Sequence, residues 1–163
     1  MGHTAVVYND SMYVFGGYDN FGSGSNDLYR YVFKTNKWHK VNPPKNGVQP
    51  RSVYHHSAVV YQGSMYTFGG IPPSLEIQEF RFGTHTWSFV QSYGASRPEP
   101  RWGHTSFVKN DHMYILGGKD KVSHFPDIFA FSFGSFFFAF FLLFFFFFFF
   151  FSFFFFFFLT FFF

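Results

Sequence analysis

Gly2-His3-Thr4-Ala5-Val6-Val7-Tyr8-Asn9-Asp10-Ser11-Met12-Tyr13-Val14-Phe15-Gly16-Gly17 is not a unique stretch of this chain. It returns as His55-His56-Ser57-Ala58-Val59-Val60-Tyr61-Gln62-Gly63-Ser64-Met65-Tyr66-Thr67-Phe68-Gly69-Gly70. A third copy reads Gly103-His104-Thr105-Ser106-Phe107-Val108-Lys109-Asn110-Asp111-His112-Met113-Tyr114-Ile115-Leu116-Gly117-Gly118. The glycine pairs, and with them His3, His56 and His104, recur at intervals of 53 and then 48 residues. A self-similar period of about fifty residues is the mark of a repeat architecture, in which one unit cannot bury its own apolar faces and must lean on the next.

Within each copy, a β-branched run meets a two-residue turn signal: Asn9-Asp10, Gln62-Gly63 or Asn110-Asp111. A second apolar run follows and ends at the glycine pair, which is the pattern of a hairpin. A third, alternating segment is expected at Asp27–Phe33, Glu76–Phe82 and Asp127–Phe133. Turns at Lys34–Lys37 and Gly83–Thr86 lead to Trp38 and Trp87, which open a short fourth strand through Val41 and Val90. Four antiparallel strands per fifty residues make one blade of a β-propeller. Paired glycines at the end of a strand suit positive φ or a close backbone approach, and the Trp supplies a broad surface for packing between blades.

At these residues the chain resembles the kelch-repeat family, whose hallmarks are the glycine pair, the preceding Tyr and the downstream Trp. The signature positions are Gly16, Gly17, Trp38, Gly69, Gly70, Trp87, Gly117 and Gly118. The wording of copy two from Arg51 to Tyr61 looks like the kelch repeats of leucine-zipper-like transcriptional regulators. The fold class this implies is all-β: a partial kelch propeller of two complete four-stranded blades and an incomplete third. The units are residues 2–42 (repeat 1), 43–91 (repeat 2 with its leading linker) and 92–135 (repeat 3). By the alignment of copies a blade-packing Trp is due at position 138, where Phe138 stands.

Residues 136–163 are a different material. Of the 34 Phe in the chain, 22 fall there, broken only by Ala139, Leu142, Leu143, Ser152, Leu159 and Thr160. All 21 charged side chains, 12 basic and 9 acidic, precede it. At about 1.5–3 kcal/mol per buried ring, 22 Phe exposed to water forgo about 30–60 kcal/mol, several times a domain's stability. Because Leu and Ser codons lie one base from TTT, a thymine-rich tract read in frame would produce this segment. The expectation is a gene-model artefact replacing the rest of a longer propeller. The alternative is a membrane anchor, since 28 uncharged residues exceed the roughly 20 that span a bilayer.

Composition narrows the chemistry. With no Cys there is no disulfide, no thiolate metal site and no cysteine nucleophile. A net charge of +3 gives no phosphate-tracking footprint, so no nucleic-acid partner is expected. The start, Met1-Gly2-His3-Thr4, has no basic flank and apolar core, so no signal peptide is expected and the expected location is cytoplasmic. The histidines His3, His56 and His104 share one repeat position on separate blades, which favours a structural role, and no metal or cofactor is expected. Kelch-type copper radical oxidases use a cross-linked Cys and Tyr, and this chain lacks Cys. Specifier proteins of that fold depend on Glu, Asp and His each four apart. Here the residue four after Glu76 is Phe80, and four after Glu99 is Gly103. No catalytic residue is therefore assigned, and the chain is expected not to be an enzyme.

The loops remain. Those after the glycine pairs, together with the linkers Asn42–Arg51 and Gln91–Arg101, emerge on one face of kelch propellers and supply the contacts of peptide-binding members. The resemblance places Tyr18, Asn20, Ser52, Trp102, Lys119 and Lys121 at matching positions as candidates for binding a protein partner. Ile71 and Pro73, at those places in copy two, are apolar and argue against a polar peptide pocket. The function implied is a protein-interaction module, as the recognition half of a scaffold or ubiquitin-ligase adaptor. Alternatives are a membrane-tethered kelch protein and, less favoured, a kelch-type oxidase or specifier. Uncovered blade faces offer self-association.

Overall fold

A computed structural model describes residues 1–90 and 97–133. Phe138, the place at which the repeat calls for a further Trp-bearing strand, and the whole Phe-rich segment lie outside the described residues. Met1–Phe131 form one compact unit, and the second, Ser132–Phe163, falls almost wholly outside the description. The described residues are all-β. Among them, no helix is long and apolar enough to cross a membrane.

The strands follow the repeat. Blade 1 holds β1 (Thr4–Tyr8), β2 (Ser11–Phe15), β3 (Leu28–Val32) and β4 (Lys37–Val41). Blade 2 holds β5 (Ser57–Tyr61), β6 (Ser64–Phe68), β7 (Ile77–Arg81) and β8 (Thr86–Val90). Blade 3 shows β9 (Thr105–Lys109), β10 (His112–Leu116) and β11 (Ile128–Ser132). Each sheet is an antiparallel meander with strands side by side in chain order, and the first strands β1, β5 and β9 adjoin one another. The hairpin turns behave as their residue types demand. Gln62 and Gly63 (φ 42° and 78°) and Asn110 and Asp111 (φ 47° and 58°) are left-handed, as a two-residue hairpin loop of matching twist requires.

Strand register sorts each sheet into two faces. In blade 1, Val7, Met12, Tyr31 and Trp38 lie across one face, and Phe15, Leu28 and Val41 across the other. The second of these faces packs on blade 2, on the row Val60, Met65, Phe80 and Trp87. Tyr8 stacks on Phe82 at 4.0 Å between ring centroids, Tyr13 meets Phe82 at 4.7 Å, and Phe15 meets Trp87 at 4.6 Å. The core of the molecule is thus a seam between blades. Blade 2 repeats the arrangement toward blade 3: Phe68 lies edge-on to the His104 ring at 5.5 Å, and Phe68, Ile77, Met113 and Ile115 are all buried.

The expectation that the repeat Trp packs between blades holds for Trp87, which is 4% exposed, and not for Trp38, which is 53% exposed. The physical reason is positional. A blade's Trp lies on the face that the preceding blade covers, and no described residue covers that face of blade 1. The glycine pair does what crowding asks of it. A Cβ on Gly69 (φ +67°) would sit 2.5 Å from the Arg101 carbonyl oxygen and 2.6 Å from a carbon of the His104 ring. That approach lets the Gly70 N–H donate to the Arg101 carbonyl at 2.8 Å, as Gly17 does to Val53.

Candidate functional site

The loops after the glycine pairs and the linkers that enter each blade share one end of the sheets, because β2 and β6 end there and β5 and β9 begin there. Two of the three loops are built alike. The Asp19 carboxylate accepts from the N–H groups of Phe21 and Ser23, both at 2.9 Å. The Asp120 carboxylate accepts from those of Val122 and Ser123, at 2.7 and 2.5 Å. These N–H groups hold the Asp120 carboxyl below its usual range. Each turn lifts an apolar residue into solvent at its tip, Phe21 at 93% and Val122 at 90% exposure.

Of the six sequence candidates, the structure gathers four into two places. Tyr18 packs its ring on Tyr54 at 4.7 Å and on His55 at 5.6 Å, and Gly24, bridged to Tyr18, abuts the Ser52 hydroxyl and the Tyr54 ring. Trp102 and Lys119 exchange both backbone hydrogen bonds at 3.0 Å. Asn20 and Lys121 lie exposed near the loop tips.

One alignment needs correction. Trp102 bridges Lys119 just as Tyr54 bridges Ile71, so the counterpart of Trp102 is Tyr54, not Ser52. Between the Pro-Arg pair and the repeat histidine, the linker that carries Tyr54 has two residues more than the one that carries Trp102. Matched on the repeat histidines, Tyr54 and Trp102 both stand two residues ahead, at His56 and His104. That signal was present in the sequence and also brings in His55. Phe21 and Val122 carry no comparable signal, because only the folded turn shows which loop residue points outward.

Arg101 was missed as well, and it anchors the segment carrying Trp102. It replaces the buried Val53 of the preceding linker and is itself fully buried. Its guanidinium pairs with Asp127, donates to the Gly117 carbonyl at 3.0 Å and lies over the Phe125 ring at 4.3 Å. Arg101 in turn keeps the Asp127 carboxyl below its ordinary range.

The repeat histidines act structurally in the seams. His56 Nε2 meets the Thr4 hydroxyl at 2.7 Å, and His104 Nε2 meets the Ser57 hydroxyl at 2.8 Å, in each case joining a blade to the one before. Burial pushes His56 down to about 3, reinforced by His104. Burial and the charge of Arg101 push His104 down to about 4. Both rings are neutral at ordinary pH.

The buried carboxylate Glu79 faces the seam with blade 3 and not the loop end. Burial works to raise it, but donors from Ser64, Ser88 and Arg81 outweigh this and hold it below its usual range. Tyr66, which also donates to Glu79, is driven up to about 12 by burial and by that carboxylate. This is a satisfied polar knot, and it presents no group free to act on a substrate. Among the described residues, no cluster of three His, Asp or Glu side chains could hold a metal ion.

Comparison with known proteins places these features. The domain described as "KLHDC2/KLHL20/DRC7 Kelch-repeats domain" matches residues 1–136. The chain is 33% identical to the Leucine-zipper-like transcriptional regulator 1 homolog of Drosophila melanogaster, over 78% of this chain and 14% of that protein. It is 30% identical to Kelch domain-containing protein 3 of Homo sapiens, over 72% of this chain and 31% of that protein. It is 33% identical to the N-(sulfonatooxy)prop-2-enimidothioate sulfolyase of Thlaspi arvense, over 73% of this chain and 35% of that protein. The chain thus spans about a third or less of the length of these relatives.

Proposed function

The chain belongs to the kelch-repeat family, and from that premise we propose that it is a protein-binding module that engages its partner through the loop end of blades 1 to 3. The observation that carries this reading is the aromatic ledge. Tyr18, Tyr54 and His55 pack into one cluster, and Trp102 is fixed at the matching place one blade along. Tyr and Trp give large contact area at small entropic loss, and they dominate the energetic centres of protein interfaces. Lys119, Lys121 and Asn20 supply a polar rim beside the ledge. The role proposed is the recognition half of a scaffold or ubiquitin-ligase adaptor, in a cytoplasmic setting. Fractionation of a tagged chain separates this from the membrane-tethered reading, which requires the chain in the membrane pellet.

Alanine at Trp102 together with Tyr54 is expected to reduce recovery of protein partners in quantitative pulldowns by tenfold or more. The far-UV circular dichroism should stay unchanged. Unaltered recovery would remove the ledge as the binding surface. A specifier-type enzyme is disfavoured, because neither Glu76 nor Glu99 is followed four residues later by an Asp.

A further inference from the structure

The position before each repeat histidine is left-handed in all three copies: φ is 70° at Gly2, 55° at His55 and 66° at Gly103. Copies one and three fill it with glycine, which takes that conformation without strain. Copy two holds a side chain there against the steric preference of an L-residue. What it gains is a third ring on the ledge. The exposed His55 imidazole lies 5.6 Å from the Tyr18 ring and 5.5 Å from that of Tyr54. Trp102 stands beside this cluster, because the Gly103 N–H donates to the His55 carbonyl at 3.1 Å.

Hydrogen bonding at the ledge is one-sided. The main chain is fully engaged: Tyr18 exchanges both bonds with Met1, Tyr54 with Ile71 and Trp102 with Lys119, and His55 donates to the Gly2 carbonyl. The side chains are not. Among the described residues, the Tyr18 and Tyr54 hydroxyls and the Trp102 indole N–H have no hydrogen-bond partner. A ligand of this surface therefore cannot add as a strand, which needs open backbone groups. A helix brings few acceptors, since its carbonyls bond internally. An acidic or phosphorylated motif calls for free arginines, whereas Arg51 pairs with Glu76 and Arg101 is buried against Asp127. Rings with outward donors are complemented by a polyproline II segment. It brings pyrrolidine faces to lie on the rings, carbonyls that no internal bond uses, and little conformational entropy to lose.

We propose that the ledge of Tyr18, Tyr54, His55 and Trp102 binds a proline-rich segment of the partner in the polyproline II conformation. This rests on the loop end being the protein-binding surface, and names the chemistry that surface takes.

Fluorescence anisotropy of a fluorescein-labelled oligoproline peptide tests it, with the full-length chain in non-ionic detergent and a Gly-Ser peptide of equal length as reference. The oligoproline is expected to bind about tenfold more tightly than the reference, or better. Tyr54→Phe combined with Trp102→Phe removes two donors and keeps an aromatic ring at each place, and is expected to weaken oligoproline binding about tenfold. His55→Gly is expected to weaken it severalfold while raising the urea midpoint of unfolding, because glycine relieves the left-handed backbone. The Phe-rich segment is the same in every variant, so binding through it would survive these changes. Equal binding of the two peptides, or oligoproline binding unchanged by the paired Phe substitutions or by His55→Gly, would overturn the proposal. If the oligoproline fails to bind while alanine at Trp102 and Tyr54 still reduces recovery of protein partners, the proline-rich ligand alone is excluded. If both fail, the ledge is excluded with it.

Discussion

Replacing Trp87 by alanine is expected to cost about 3–5 kcal/mol of folding stability, and the same change at Trp38 about 1 kcal/mol or less. The two residues hold one repeat position, so local propensity and strand pairing predict equal effects. The difference arises from what lies above each ring. Trp87 is covered by Phe15 and backed by Phe80 at 5.1 Å, and truncating it opens a cavity in the main core. Trp38 rests on Tyr31 at 5.0 Å with half its surface in solvent. Urea unfolding in non-ionic detergent, at a dilution that keeps chains apart, measures both. Equal losses at the two sites would show that the Trp acts within its own sheet and not across a seam.

Acidification is expected to loosen the stack by about 4 kcal/mol between pH 7 and pH 5. His56 lies near 3 and His104 near 4 in the folded chain, against 6.5 for an ordinary histidine. Between those values the unfolded chain binds more protons than the folded one, so stability is fully present above about 6.5 and falls as pH drops toward 3 or 4. At pH 5 each ring contributes a loss of about 2 kcal/mol. The carboxyls of Glu79 and Asp127, held below their usual range, add to the loss only at more acidic pH, through their own titration. Substituting His56→Gln and His104→Gln together should flatten the pH 5 to 7 slope, whatever it does to stability at neutral pH. A slope that survives both changes would assign the acid sensitivity elsewhere.

Strands and turns were legible in the sequence because they are set by local chemistry. The hairpin turns, the glycine pairs and the alternating third segments needed only neighbouring residues to be read. What escaped depends on the next blade. Trp38 and Trp87 look equivalent in sequence and differ only in cover. Glu79, in the register place of Arg30, is tolerated inside a seam because Ser64, Ser88 and Arg81 converge on it. At the loop end, repeat position named Tyr18, Trp102 and Lys119 as candidates, while Tyr54 was not named because two more residues separate the Pro-Arg pair from the repeat histidine in its linker than in the next. Arg101 was hidden because a buried guanidinium requires Asp127, 26 residues away, and the Phe125 and Phe129 rings around it.

The central claim is that successive blades hold each other through the ring of one and the indole of the next. A double-mutant cycle with Phe15→Leu and Trp87→Leu, read by unfolding free energies, measures that contact alone. A coupling of about 0.5–1.5 kcal/mol is predicted, as for aromatic pairs in direct contact. Additivity to within about 0.3 kcal/mol would mean that the two blades do not meet there, and would contradict the stacked arrangement.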